Sequence, residues 1–156
     1  MEKKIIPNDL LLGEVSRLVA EGEKVTIMTK GVSMLPFIRG ERDSVLLQRP
    51  ENLAPGMIVL AYVENRRYVL HRIIKVRDND YVIRGDNCLN REYGITDDDI
   101  LGVLVAVIRN GREVSVESTG FKIYSRIWHF IFPVRFLYMK ARRTGGKILR
   151  KLGLRK

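Results

Sequence analysis

Apolar and polar positions recur with two different periods along this chain, and the switches between them mark its elements. From 8 to 21, Leu10, Leu11, Val15, Leu18 and Val19 fall at helical spacing behind Asn8, a good helix cap, and Gly22 closes the segment. From 24 to 30 the period drops to two, with Val25 and Ile27 alternating against polar neighbours, as on a half-buried strand. Further β-like runs follow at 44–48, 57–63, 67–77 and 81–84. They are separated by turn-forming groups: Pro55-Gly56, Glu64-Asn65-Arg66, Asp78-Asn79-Asp80 and Gly85-Asp86-Asn87. Thr96-Asp97-Asp98-Asp99 can cap one helical turn, and Asn110-Gly111 joins 101–109 to 112–116 in the clearest hairpin. Many short strands with little helix between them predict a mainly β, mostly antiparallel domain over 24–118. A helix at 1–23 precedes it.

After Gly120 the pattern changes again. Residues 121–139 are apolar and aromatic, and 140–156 are basic with Ile148, Leu149, Leu152 and Leu154 interspersed. This predicts a helical tail over 119–156. Charge sharpens the division. The net charge is +10, yet residues 1–120 carry −1 and residues 121–156 carry +11 with no Asp or Glu. Trp128, Phe130, Ile131, Phe132, Phe136, Leu137 and Tyr138 beside a polybasic stretch fit attachment of 121–156 to an anionic leaflet. The competing expectation is a helix packed on the β domain with a solvated basic end. Nucleic acid is the weaker partner, because no recognition motif accompanies the charge.

At 156 residues with 46% hydrophobic and 29% charged composition, the chain has the makeup of one globular domain. Its single cysteine, Cys88, excludes an internal disulfide and is read as structural. The first residues carry no secretory signal, and no apolar run is long enough to span a bilayer. A cytoplasmic location, peripheral at the inner membrane face, is the expectation.

Two residues offer chemistry. Ser33 lies in Gly31-Val32-Ser33-Met34-Leu35-Pro36, a glycine-flanked turn after a β-like run, and His71 lies in the run Leu70-His71-Arg72-Ile73. A serine hydroxyl is a poor nucleophile until a base takes its proton, and histidine titrates in the range where it can do so. Taken alone, Ser33 reads as a turn serine and His71 as a core histidine.

Four segments change that balance through their order. Gly31-Val32-Ser33-Met34 with Arg39-Gly40-Glu41-Arg42-Asp43 and an apolar strand resembles the nucleophile box of the signal-peptidase and LexA-repressor serine proteases. Leu70-His71-Arg72-Ile73-Ile74 resembles their general-base strand, and Ile83-Arg84-Gly85-Asp86-Asn87 their Gly-Asp-Asn box. Asp99-Ile100-Leu101-Gly102-Val103 resembles the turn and strand that close their fold. The resemblance covers about 24–110 and lies closest to the branch that uses histidine, as in archaeal and endoplasmic-reticulum signal peptidases.

The resemblance implies a serine endopeptidase acting on a leader-like peptide in extended conformation. Ser33 would be the nucleophile and His71 the base. Asp86 would hold the imidazole, with Glu92 as the alternative acid. Gly31 stands where a hydroxyl oxyanion donor is often found, so the backbone N–H of Ser33 takes that role. Met34, Leu35 and Pro36 would line the substrate cleft. No cofactor or metal is called for, and Asp97-Asp98-Asp99 reads as a solvated helix start. Two other functions remain open for the same fold: a self-processing or non-catalytic binding module of the repressor kind, and a membrane-surface protein with an idle protease site.

Overall fold

The computed structural model describes residues 8–64 and 67–151. Asn65 and Arg66 of the first hairpin loop, and Leu152, Leu154, Arg155 and Lys156 of the tail, lie outside the described residues. So do the side chains at 8–11, 143 and 145–151, including Leu10, Leu11, Ile148 and Leu149.

The elements run α1 (Asn8–Ala20), β1 (Val25–Met28), β2 (Asp43–Gln48), β3 (Ile58–Val63), β4 (Arg67–Val76), β5 (Tyr81–Arg84), β6 (Glu92–Ile95), a 3₁₀ turn (Asp97–Asp99), β7 (Ile100–Arg109), β8 (Arg112–Ser115), α2 (Thr119–Phe130) and α3 (Phe132–Lys151). The protein is mainly β, with helices at its two ends. Gly22 ends α1 as expected. At φ +92° it donates to the Val19 carbonyl while Glu23 donates to Leu18, the paired bonds of a glycine-terminated helix. Asn8 is already helical, so its expected capping role falls at the edge of the described residues. The 3₁₀ turn is capped as its sequence predicts, with the Asp99 carboxylate accepting from both the N–H and the hydroxyl of Thr96.

All strand pairs are antiparallel, in the order β1-β2-β7-β3-β4-β5-β6. β7 holds the sheet together. One edge pairs with β2 along 103–109, and the other pairs with β3 along 100–103 and with β8 along 106–109. Register shifts within β2–β7, β3–β7, β4–β5 and β5–β6 bend the sheet. The curl buries β3 on both faces. Ile58 and Leu60 join a cluster with Val45, Leu47, Leu104 and Val107, while Val59, Ala61 and Val63 join a second with Ile73, Ile83 and Ile100. This explains why Ile58–Val63 reads as an unbroken apolar run.

The ends of the chain share the first cluster. Leu12, Val15 and Val19 of α1 pack there, and so does Phe121 of α2. Helices α1 and α2, at the two ends of the described chain, thus contribute side chains to one core with the strands. Each fully buried aliphatic side chain of this kind stabilises the fold by about 1.5–3 kcal/mol. The tail forms two helices, α2 and α3, where one helical segment was expected. β6 was not expected at all.

Candidate functional site

Ser33 follows β1 in a loop that closes on itself at two glycines. Gly31 takes φ +78°, a backbone conformation that suits glycine. A Cβ on Gly40 would stand 2.2 Å from the Gly31 carbonyl oxygen and 2.6 Å from its nitrogen, so the chain can cross itself there only without a side chain. Beneath the crossing lies Asp43, fully buried. Its carboxylate accepts from Arg109 Nε (2.9 Å) and Nη2 (2.7 Å) and from the backbone N–H of Arg39 (2.8 Å). Arg109 also donates to the Phe37 carbonyl. Hydrogen bonding to Arg109 holds the Asp43 carboxyl below its usual range. The loop carrying Ser33 is therefore anchored to β2 and β7.

The second anchor is the turn after β5. Asn87 donates its backbone N–H to the Ser33 carbonyl (2.7 Å) and its side-chain amide to the Val32 carbonyl (3.2 Å). Gly85 marks the closest approach. A Cβ there would lie 2.7 Å from the Ser33 carbonyl oxygen, 2.8 Å from Cys88 Sγ and 3.0 Å from His71 Nε2. The Ser33 carbonyl oxygen and His71 Nε2 thus stand no farther apart than the sum of their distances to that Cβ position. Among the described residues, the Ser33 N–H donates to no backbone carbonyl.

His71 lies mid-strand in β4, opposite Val59, and is 4% exposed. Burial, with the Arg67 cation adding to it, lowers its pKa from 6.5 to about 4, and the Asp86 charge only partly opposes this. The imidazole is uncharged at neutral pH and can accept a proton. Its Nδ1 has no hydrogen-bond partner among the described residues.

Neither expected acid hydrogen-bonds to His71. Asp86 is buried in a bidentate pair with Arg72, at 2.8 Å to Nε and 2.7 Å to Nη2. The reason is strand parity: His71 and Arg72 are consecutive, so their side chains leave opposite faces of β4. Arg72 continues to the Gly56 carbonyl (2.7 Å) and the Ser125 hydroxyl (3.1 Å). Glu92, on β6, pairs with Arg67. Arg67 lies four residues before His71 and so leaves the same face of β4.

Ser33 and His71 both line a cleft of about 490 Å³. One wall is β1 and the segment after it, from Ile27 to Gly31; the other is Arg67–His71 of β4 with Cys88, Leu89, Asn90 and Glu92. These strands stand far apart in the sheet order, and the curl sets them face to face. Of the three residues expected to line the cleft, only Met34 does so, and it is 4% exposed, with its side chain in the core. Leu35 and Pro36, joined by a cis peptide, are not part of the lining.

Arg67, whose cation lowers the His71 pKa, was not expected from sequence as part of the site. Period-two spacing from His71 would have found it. Cys88, expected as a structural residue, is also among the residues lining this cleft. Among the described residues no cluster of His, Cys, Asp and Glu is arranged to hold a metal ion. Comparison of the chain with protein-family models, curated proteins and solved structures finds no match.

Proposed function

We propose that this protein is a serine endopeptidase of the signal-peptidase and LexA-like kind, working with a Ser33–His71 dyad. The observation that carries the reading is that the Ser33 main chain and the His71 imidazole approach each other at Gly85 and line one cleft, from segments 38 residues apart in sequence. The uncharged imidazole supplies the base that serine chemistry needs. As the Ser33 hydroxyl oxygen attacks a scissile carbonyl, His71 takes its proton and then passes it to the leaving amine. A water, deprotonated in turn by His71, hydrolyses the acyl ester. The Ser33 N–H is the donor for the developing oxyanion.

The substrate is a peptide in extended conformation. β1 ends the sheet, paired on one edge with β2 only, and Ile27–Thr29 line the cleft. A peptide strand can add beside it through main-chain hydrogen bonds. Incubation with unstructured leader-like peptides, read by mass spectrometry, tests this. The wild type should cut, and Ser33→Ala, folded to the same stability, should not. Equal cutting by Ser33→Ala would overturn the reading.

A second reading has one observation in its favour. The unpartnered Nδ1 of His71 leaves the imidazole without an orienting acid, which fits a binding cleft whose hydrolytic site is idle. Peptide binding without cleavage in the wild type would select it.

A further inference from the structure

We propose that the outward face of α2 and α3 seats this protein on an anionic lipid surface. The inference stands apart from the protease reading and concerns a different part of the molecule.

The helix pair has two apolar faces. The inner one is occupied. Phe121 and Tyr124 pack on Phe37, with ring centroids 4.9 and 4.7 Å away. Trp128 Nε1 donates to the Asp86 carbonyl (3.3 Å), and the Arg84 guanidinium lies 3.2 Å from the centroid of Phe132. Trp128 and Phe132, expected from sequence as membrane-facing aromatics, are thus committed to the protein.

The outer face is bare. Ile123 and Ile127 are each 53% exposed, Phe130 86%, Val134 75% and Leu137 68%. Their spacing of four, three, four and three residues keeps them on one side of a helix. Helical bonds from Ile131 N–H to Ile127 and from Arg135 N–H to Ile131 carry that geometry across the α2–α3 junction. A contiguous stripe of large exposed apolar side chains is rare on a protein with nothing to cover it.

Charge identifies the cover. Lys122, Arg126, Lys140 and Arg142 are exposed on the same helices, and no Asp or Glu occurs after residue 120. A second copy would bring two strongly positive helices together. An anionic bilayer accepts both the apolar stripe and the cations. The stripe spans about 21 Å at 1.5 Å per residue, and helices of this kind lie in the interfacial plane. No helix among the described residues is long and apolar enough to cross a membrane.

Flotation of the full chain with vesicles tests the proposal. The protein should float with phosphatidylcholine containing phosphatidylglycerol, weakly or not at all with phosphatidylcholine alone, and less as salt rises. Ile127→Glu with Leu137→Glu should weaken binding about tenfold or more. Lys140→Gln and Arg142→Gln should each weaken it about fivefold. Circular dichroism should show both sets folded, and Ser33→Ala should bind like the wild type. Folded protein that stays unbound from anionic vesicles, or floats unchanged when Ile127 and Leu137 carry Glu, would overturn the proposal. So would a tight dimer in solution that hides the stripe and does not bind lipid.

Discussion

His71 and Arg72 are sequence neighbours with opposite assignments: one faces the cleft with Ser33, the other reaches through the far side of the sheet to Asp86. The parity of one strand separates the chemistry from the clamp that steadies it. Asp86 joins that clamp twice, by its carboxylate to Arg72 and by its carbonyl to Trp128 and Arg135.

Asp86→Ala should therefore act first on stability. Removing one partner of a buried pair leaves the other charge uncompensated, at a cost of about 3–5 kcal/mol. Urea unfolding should show that loss, and Arg72→Ala should lose a similar amount. A large fall in kcat with unchanged stability would instead place Asp86 on the imidazole.

The lowered pKa of His71 predicts two acid effects. The acid limb of kcat/KM should lie near pH 4 and not at 6.5, because the base stays unprotonated until then. In the unfolded chain the same imidazole takes its proton near 6.5. Its contribution to stability is thus complete above that pH and is lost between about 6.5 and 4, by on the order of 3 kcal/mol. Unfolding of the wild type and His71→Gln across this range should show the variant lacking that part of the loss.

Arg67→Met should move the acid limb upward. The Arg67 cation opposes protonation of His71, and removing it lets the imidazole charge more readily. An unchanged pH profile would show that burial alone sets the value.

Gly85→Ala and Gly40→Ala should both lower the melting temperature, since a methyl at either meets backbone, at 2.7 and 2.2 Å. Only the methyl at Gly85 also meets His71, so it should reduce turnover beyond what lost stability explains. Thermal unfolding together with turnover separates the two effects.

Asp43→Ala should lower stability by about 3–5 kcal/mol through the stranded Arg109 cation. Because Arg109 holds the Asp43 carboxyl below its usual range, the wild-type pair contributes fully above its ordinary value of 3.8 and weakens as pH falls below it. Acid unfolding should be steeper below that pH in the wild type than in Asp43→Ala.

Period and turn chemistry made most elements legible. The strands at 57–63 and 81–84, the 3₁₀ turn and the 110–111 hairpin announce themselves through residues that favour those conformations. β6 was not legible, because Glu92-Tyr93-Gly94-Ile95 offers only two apolar positions, set around a glycine that takes φ +68°. Ser33, His71 and the 85–87 turn could be singled out because glycine spacing and residue chemistry mark them. The partner of Asp86 could not be, since it depends on which face of β4 the turn reaches. The tail posed the same problem twice over. Residues 121, 124, 128 and 132 and residues 123, 127, 130, 134 and 137 both recur at helical spacing, and only tertiary packing decides which set is buried.

The position of β7 has a consequence for how the protein is made. β2, β3 and β8 all pair with it, and Arg109 at its end fixes both Asp43 and the loop that carries Ser33. A nascent chain emerging from the ribosome holds Ser33, His71 and the Gly85 turn before this strand appears. Until residue 109 is free to fold, the β1–β2 pair beside Ser33 and the β3–β4–β5 strands that carry His71 lack the strand that joins them. Closing the sheet around the cleft thus requires pairing 43–48 with 103–109, one of the longest loop closures in the fold.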